Sequence, residues 1–193
     1  MKVAFDLKQE TLGSKIFARR EQVIFASAQI FLNKMINAKP PADSRYSCYS
    51  VSLADWRQFG EALSQIRFTV FVREQGVPPE IELDTLDTSA EKCIHAAARD
   101  QDGNIIATGR LILDEPIPRI GRMAVLKAWR GSGVGGALLD TLCQEVKRHG
   151  FTQVLVHAQT HAAPFYFKRR FLSHGVEFAE AGIPHLEMRR ALA

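Results

Sequence analysis

Apolar residues recur at helical spacing near the start of the chain. Between residues 14 and 37, charged residues separate apolar positions that follow a helical period, and these positions are Ile16, Phe17, Val23, Ile24, Ile30, Phe31 and Met35. This period predicts an amphipathic helix. Two prolines follow at residues 40 and 41, and proline cannot continue a helix. We therefore predict an N-terminal helical extension over residues 1–45 and a second domain over residues 46–193.

The rest of the chain alternates between segments with the periods of strands and of helices. The pattern predicts strands over residues 46–53, 93–99, 105–113, 119–126, 152–157, 174–179 and 184–190. It predicts helices over residues 55–72, 132–149 and 162–171. Between two of the strands, Asp102 and Gly103 favour the tight turn of a hairpin. Strands and helices mixed in this order indicate one α/β domain.

A glycine-rich segment links the predicted strand at residues 119–126 to the helix that follows it. The segment Arg130-Gly131-Ser132-Gly133-Val134-Gly135-Gly136 has four glycines among six residues. Without Cβ atoms the backbone turns tightly, and consecutive N–H groups at the positive end of a helix can point at one anion. The segment therefore predicts a phosphate-binding loop, with a pyrophosphate as the preferred ligand.

Two common phosphate-binding motifs do not fit this loop. The dinucleotide motif G-x-G-x-x-G matches Gly131, Gly133 and Gly136, but it needs an acidic residue about 20 positions further on. The next strand ends in His157-Ala158-Gln159, which contains no carboxylate. A nucleotide-triphosphatase loop needs Lys and then Ser or Thr, whereas Ala and Leu follow the last glycine of this chain.

Two motifs in the right order give the chain a family resemblance. The loop has the pattern Arg-x-x-Gly-x-Gly over residues 130–135, and it is followed by Gln159-Thr160-His161-Ala162 and by Phe165-Tyr166-Phe167-Lys168-Arg169-Arg170-Phe171. These segments resemble the coenzyme A loop, the Asn-x-x-Ala and the Tyr-x-Lys-x-Gly-Phe of the GNAT acyltransferase superfamily, in particular its small bacterial acetyltransferases. Gln159 and Arg170 stand where the family usually has Asn and Gly. The resemblance covers the chain from about Tyr46 onward.

This resemblance implies a fold and a cofactor. The GNAT fold is an α/β (α+β) domain whose mixed, mostly antiparallel sheet is splayed at its centre and flanked by helices, and acetyl-coenzyme A enters the splay. Unpaired backbone groups between the strands at 119–126 and 152–157 would bond the amides of the pantetheine arm. The resemblance assigns cofactor binding to Met123, Ala124, Val125, Arg130, Gly131, Ser132, Gly133, Val134, Gly135, Gly136 and Gln159.

Transfer of an acyl group from a thioester to an amine needs a neutral nucleophile, a stabilised oxyanion and a proton for the thiolate. Tyr166 matches the family's tyrosine, and a phenol of pKa about 10 can supply that proton. The strand at 119–126 is not acidic where many GNAT relatives carry a glutamate. His157 and Glu74 are therefore the candidate general bases. Water-mediated proton removal and an amine that arrives neutral fit the sequence equally well.

The predicted reaction is N-acetyl transfer to a primary amine of a small molecule or peptide, by direct attack in a ternary complex. Five carboxylates fall within residues 74–87, and they either attract a cationic amine or form a solvated acidic loop. The patterns Arg67-x-x-x-Phe71 and Glu82-x-Asp84-x-x-Asp87 are also similar to acyl-homoserine-lactone synthases, which is one alternative. A second alternative is a non-catalytic acetyl-coenzyme A sensor that contacts a partner through its N-terminal helix.

Composition narrows the remaining classes of function. The net charge of +4 comes from residues 1–45, with eight Lys or Arg against four Asp or Glu, and no basic patch with interleaved aromatics indicates nucleic acid. Three cysteines without a C-x-x-C pair, and His157 and His161 without further ligands, predict no metal. No apolar run reaches about 18 residues and no secretion signal is present, so we expect a cytoplasmic protein without membrane partners. The sequence leaves a homodimer open.

Overall fold

The strands of the second domain form one sheet. The structure is a computed structural model that describes residues 49–82 and 84–192. Over these residues the strands are β1 Ser50–Ala54, β2 Cys93–Arg99, β3 Ile105–Ile112, β4 Arg119–Val125, β5 Gln153–Gln159, β6 Leu172–Ser173, β7 Phe178–Glu180 and β8 Ile183–Ala191. Their order in the sheet is β1-β2-β3-β4-β5-β8-β6, and β7 pairs with β8. The helix predicted over residues 14–37 and the boundary predicted at residue 45 lie outside the described residues.

An α-helix follows each of β1, β4 and β5 in the chain. The α-helices of the described residues are α1 Trp56–Arg67, α2 Val134–Arg148 and α3 Ala163–Phe167. The Asp55 carboxylate caps α1 by accepting a 2.8 Å hydrogen bond from the Arg57 N–H, and α1 continues as a π-helical segment, Phe68–Glu74. Short 3-10 helices lie at Pro79–Ile81, Thr85–Thr88, Lys127–Trp129 and Thr160–Ala162. None of the helices in this part of the chain has the length and apolar composition needed to cross a membrane.

Most predicted elements are confirmed within a few residues, but two differ in extent. The helix predicted over residues 162–171 is α-helical only over Ala163–Phe167, and the left-handed backbone of Arg170, with φ 63°, turns the chain after it. The prediction of a single strand over residues 174–179 is wrong. The chain forms the two shorter strands β6 and β7 there, because Gly175, with φ 80°, turns it between them.

The central strand β3 is buried along its whole length. All eight of its residues are buried, and both α1 and α2 pack against it. Helix α2 contributes Leu138, Leu139, Leu142 and Val146, none of which is exposed to solvent. Burial of an apolar side chain of this size stabilises a fold by about 1.5–3 kcal/mol. This packing fixes α2, and with it the glycine-rich loop at its start, against the sheet.

The sheet opens between β4 and β5. These two parallel strands pair through Arg119 with Leu155 and through Ile120 with Val156, and beyond these pairs they diverge. The other strand pairs among the described residues are antiparallel. The expected fold, a mixed and mostly antiparallel sheet splayed at its centre, is thereby confirmed.

A β-bulge lies in β4 where the two strands separate. The register between β3 and β4 shifts at Gly109, which faces two residues of β4, Arg122 and Met123. Arg122 has φ 51°, a backbone conformation that non-glycine residues rarely adopt. A bulge bends its strand and re-aims the side chains beside it. The bulge thus sits beside the wedge between β4 and β5.

Candidate active site

The wedge between β4 and β5 contains a cavity of about 680 Å³. Its walls include Phe71 of the π-helical segment, Gln75 directly after that segment, and Arg122 from the bulge. Among the site residues expected from the sequence, those that line it are Met123, Val125, Arg130, Gly135, His157, Gln159 and Tyr166. The structure therefore brings the predicted cofactor strand, the general-base candidate His157 and the predicted acid Tyr166 to one cavity.

The glycine-rich loop presents a run of backbone N–H groups at the start of α2. Gly131 and Gly133 have φ values of 82° and 91°, which residues with a Cβ rarely adopt. Gly133 is the residue before α2, and no side chain caps the helix there. In the part of the chain that the structure describes, the N–H groups of residues 131–135 have no hydrogen-bond acceptor. Free donors at a helix N-terminus are the physical requirement for binding an anion.

Gly136 allows a cation to pack against this loop. A Cβ atom at this position would collide with the guanidinium group of Arg169. That guanidinium lies over the Phe165 ring, 4.6 Å from its centroid, and Lys168 lies next to it in the chain. A second cavity of about 490 Å³ is lined by the loop glycines together with Arg130, Lys168 and Arg169. Backbone donors and cationic side chains thus converge on one surface, which fits a pyrophosphate.

Two loop residues can offer only their backbone to a ligand at this surface. The Ser132 hydroxyl donates a 2.7 Å hydrogen bond to the Trp129 carbonyl. The Val134 side chain is fully buried in the core. The assignment of these residues to cofactor binding therefore rests on their N–H groups.

Met123, Ala124 and Val125, the β4 residues predicted to bind the cofactor, differ in which of their groups face the wedge. The Leu126 N–H bonds to Ile106 of β3 at 3.0 Å, and alternate residues of a strand turn their backbone groups to opposite edges. Ala124 therefore faces β3, whereas Val125 faces the wedge, where its carbonyl accepts a 2.9 Å bond from Arg130 Nε. Met123 contributes its side chain to the cavity wall.

The end of the π-helical segment contacts both sides of the wedge. Glu74 Oε2 lies 2.5 Å from Arg130 Nη2, and Gln75 Oε1 accepts a 2.9 Å bond from Gln159 Nε2. Glu74 is not among the residues that line the cavity, whereas His157 is. The geometry therefore gives Glu74 a positioning contact with Arg130 and favours His157 as the base.

Tyr166 is buried against two aromatic rings at the cavity wall. Its ring meets Phe165 and Phe171 edge to face, with centroid distances of 4.9 and 5.7 Å. Burial raises the pKa of Tyr166 to about 12, so the phenol stays protonated at any physiological pH. It is consequently a weaker acid than the sequence alone suggests, but it keeps the proton that its predicted role as an acid requires.

His157 has a carboxylate partner that the sequence analysis missed. The distance from His157 Nδ1 to Glu180 Oε2 is 3.0 Å, and the Phe178 ring meets the imidazole edge to face at 4.9 Å. The hydrogen bond with His157 lowers the pKa of Glu180 and outweighs the opposite effect of burial. Glu180 is the last residue of β7, and the signal for its position was Gly182, which with Ala181 forms a tight turn to Ile183.

The acidic segment is neutralised by arginines that the sequence analysis did not connect to it. Arg67 Nε lies 2.5 Å from Glu82 Oε1, and Arg67 Nη1 lies 2.8 Å from Asp87 Oδ1. Arg110 bonds both Asp84 and Asp87 at 2.8 Å. Arg122 adds longer ion pairs to Glu82 and Asp84, at 3.5 and 3.7 Å. These six residues, three cations and three anions, are the arginine–carboxylate network, and they leave little negative charge for attracting an amine.

Asp87, Cys93 and His95 place one potential metal ligand each within 4.8 Å of the others. Asp87 already binds two arginines, and burial raises the pKa of the Cys93 thiol to about 12. His95 Nε2 lies 3.1 Å from the Asp87 carbonyl oxygen. The donors are thus engaged in hydrogen bonds, and a protonated thiol is a poor metal ligand.

A sheet that opens between two strands, with a loop of unbonded N–H groups at the opening, is the arrangement expected of an acyltransferase. Comparison with known proteins gives the family. A family model described as "Acetyltransferase (GNAT) domain" matches residues 68–192. The chain therefore belongs to the GNAT acetyltransferase family. The expected class of enzyme, an acyltransferase, is thereby confirmed.

Individual relatives agree with this assignment. The chain is 38% identical over 127 residues to the uncharacterized N-acetyltransferase YjcF of Bacillus subtilis, covering 65% of this chain and 87% of YjcF. It is similar to the crystal structure of an acyl-CoA N-acyltransferase from Pseudomonas aeruginosa, with 32% identity, a TM-score of 0.64 and coverage of 75% and 99% of the two chains. An aminoglycoside 6′-N-acetyltransferase complexed with coenzyme A shares the fold alone, at 16% identity, a TM-score of 0.58 and coverage of 74% and 96%.

Proposed function

We propose that this GNAT enzyme transfers an acetyl group from acetyl-coenzyme A to a primary amine of a small molecule or peptide, by direct attack in a ternary complex. The observation that carries the proposal is the run of free N–H groups at residues 131–135, beside Arg169, at the mouth of the β4–β5 wedge. A pyrophosphate matches these donors in charge and size. An aminoglycoside 6′-N-acetyltransferase with the same fold is found in complex with coenzyme A, which is consistent with this choice of ligand.

The residues present divide the cofactor between two surfaces. The loop, Lys168 and Arg169 would hold the phosphates, and the Val125 N–H on the wedge side of β4 would bond the pantetheine arm. Gln159 would bind the cofactor by exchanging its hydrogen bond with Gln75 for one with the cofactor. Acetyl-coenzyme A would supply the acetyl group as a thioester.

Two side chains of the cavity would move the protons. His157 would take a proton from the amine nitrogen, and Tyr166 would give its phenolic proton to the departing sulfur. Backbone N–H groups on the wedge side of β4 would stabilise negative charge on the thioester oxygen. These roles need no acidic residue in β4, which is consistent with its sequence.

Calorimetric titration with acetyl-coenzyme A tests the cofactor site directly. We expect saturable binding by the wild type and none by Gly133→Glu, whose added side chain and negative charge would block the loop. Gly150→Glu is the matched control, because Gly150 has a similar φ of 82° and lies beyond the other end of α2, about 22 Å along the helix from the loop. It should bind normally. A folded wild-type protein that does not bind acetyl-coenzyme A would refute the proposal.

An amine panel then separates the remaining activities. Product analysis with acetyl-coenzyme A and with longer acyl donors would show N-acylated amines if the proposal is right. Formation of a lactone from an acyl-carrier donor would instead support the acyl-homoserine-lactone alternative. The loop favours coenzyme A as the donor, since its free amides need a pyrophosphate-like anion.

A further inference from the structure

We infer that Glu180 is a positioning residue for catalysis, which holds His157 in the tautomer whose Nε2 atom accepts the proton of the acceptor amine. The inference rests on the proposed function, and it adds a residue, a tautomer and a charge state for the acceptor. It follows from three features: the contact between the two side chains, the turn that holds Glu180, and the charges along the cavity.

The contact fixes which nitrogen of His157 carries the proton. An ionised carboxylate only accepts hydrogen bonds, so the His157 nitrogen that faces it must donate. Since Nδ1 lies 3.0 Å from Glu180 Oε2, the neutral ring carries its proton on Nδ1 and its lone pair on Nε2. No group among residues 49–82 and 84–192 bonds that Nε2 atom. His157 lines the cavity, which leaves Nε2 available to a substrate.

The fold holds both members of this pair in place. His157 lies in the middle of β5, paired with Glu187 of β8. Glu180 and Ile183 close the β7–β8 hairpin, whose two turn residues, Ala181 and Gly182, have φ values of 52° and 74°. This is the backbone of a tight type I′ turn, which leaves little freedom in the position of Glu180. The Phe178 ring, packed between His157 and His185, restrains the imidazole from its edge.

Among the described residues that line the cavity, Glu180 is the carboxylate that no arginine bonds. Two carboxylates line the cavity, Glu82 and Glu180. Glu82 is paired with Arg67, whereas Glu180 bonds no arginine or lysine in the described part of the chain. In the same part of the chain, four arginines also line the cavity, and each pairs with a carboxylate other than Glu180; they are Arg110, Arg119, Arg122 and Arg130. The negative charge beside His157 therefore suits an acceptor that enters as an ammonium ion.

The protons balance in this scheme. An ammonium nitrogen carries three protons and the product amide keeps one. One proton goes to His157 Nε2 and then to solvent. As the C–N bond forms and the C–S bond breaks, Tyr166 gives its phenolic proton to the departing sulfur. The second proton that leaves the nitrogen then restores the phenol of Tyr166. The products are the amide, the free thiol and one proton released to solvent.

The test measures the tautomer of His157 separately from turnover. Protein labelled with ¹⁵N-histidine is examined by NMR when its rings are neutral, and His157→Gln identifies the His157 signals by their loss. We expect the Nδ1-protonated tautomer in the wild type. In Glu180→Gln we expect the Nε2-protonated form to become populated, because the amide can donate to Nδ1. Glu177→Gln, an exposed neighbour with the same change of charge, should leave the tautomer as in the wild type.

Kinetics with an accepted amine give the second readout. Glu180→Gln should lower kcat by about tenfold or more, within the range of general-base effects, while the KM for acetyl-coenzyme A stays unchanged. An unchanged His157 tautomer in Glu180→Gln would overturn the inference. Absence of acetyl-coenzyme A binding by the wild type would instead refute the proposed function and leave the NMR result valid.

Discussion

Arg170 occupies a position at the end of α3 where glycine is favoured. The Phe171 N–H bonds the Tyr166 carbonyl at 3.2 Å, and the Arg170 N–H bonds the Phe167 carbonyl at 3.0 Å. This pair of bonds is the Schellman motif, in which the residue corresponding to Arg170 takes a left-handed backbone. The positive φ of 63° at Arg170 follows from it. The glycine that the GNAT pattern has here is thus a conformational requirement.

Arg170→Gly should therefore stabilise the protein. A left-handed backbone costs a residue with a Cβ about 1–2 kcal/mol, and glycine avoids this cost. Part of the gain is lost because glycine has greater conformational freedom in the unfolded chain. We expect the free energy of unfolding to rise by about 1 kcal/mol, measured by urea denaturation. Arg170→Ala, which removes the side chain but keeps the Cβ, is the control and should bring no such gain. Equal effects of the two variants would assign the gain to the arginine side chain instead.

Tyr166 leads to a prediction about activity in alkaline solution. Burial raises its pKa to about 12, so it should not lose its proton between pH 7 and pH 10. Ionisation of Tyr166 would make the wild-type rate fall at high pH, and Tyr166→Phe would abolish that fall. We expect no such fall between pH 7 and pH 10. Tyr166→Phe itself should lower kcat by at least about tenfold without weakening acetyl-coenzyme A binding, measured by pH–rate profiles and calorimetry. An unchanged kcat would remove Tyr166 from the mechanism.

Three elements approach one another closely at Gly109, opposite the bulge in β4. A Cβ atom there would lie 2.6 Å from Met123 Sδ in β4 and 2.9 Å from Leu142 Cδ1 in α2. Gly109→Ala should therefore destabilise the protein by about 1–3 kcal/mol, as overpacking of a filled core does. The measurement is chemical denaturation.

Gly121→Ala is the matched control for this effect. Gly121 lies in β4 close to the same bulge and has no positive φ, and a methyl group added there would meet no described atom within 4 Å. Its substitution should leave stability within about 0.5 kcal/mol of the wild type. If both variants lose the same stability, the cause is the strand backbone and the proposed crowding at Gly109 is wrong.

Elements with local signals could be predicted from the sequence, whereas contacts between distant segments could not. Hydrophobic periods predicted most of the strands and α2, and four glycines predicted the loop whose N–H groups are free. The bulge at Arg122 leaves no sign in the sequence, because it is set by the register of β3 against β4. The pairing of His157 with Glu180 spans 23 residues and depends on the β7–β8 turn. Register and pairing are decided by tertiary packing, which residue types alone do not specify.

The arginine–carboxylate network joins parts of the chain that lie far apart in sequence. Arg67 at the end of α1 and Arg110 in β3 share Asp87, and the 3-10 helix after Asp84 brings the carboxylates to them. Arg67, Asp87 and Arg110 are each at least 95% buried. An unpaired buried charge is costly, so each member depends on the others. The network therefore ties the segment around Glu82, which lines the cavity, to the sheet.

Removing Asp87 should be among the most damaging single changes in the protein. Asp87→Ala leaves two buried guanidinium groups short of a partner, and we expect a loss of about 3–5 kcal/mol in urea denaturation at pH 7. Asp114→Ala is the control, since its ion pair with Lys92 is about half exposed and should contribute far less to stability. A similar loss for both would mean that burial does not govern the strength of these pairs.

The same network makes stability depend on acid. Burial alone would raise the pKa of Asp87, but the hydrogen bonds and charges of Arg67 and Arg110 outweigh it and hold the pKa below the ordinary value of 3.8. A carboxyl whose pKa is lower in the folded protein contributes stability above its unfolded pKa and loses it as the pH falls through the folded value. The stability difference between wild type and Asp87→Ala should therefore be constant from pH 7 to about pH 5 and should shrink below about pH 4. A difference that grows on acidification would mean that burial, not the arginines, determines the ionisation of Asp87.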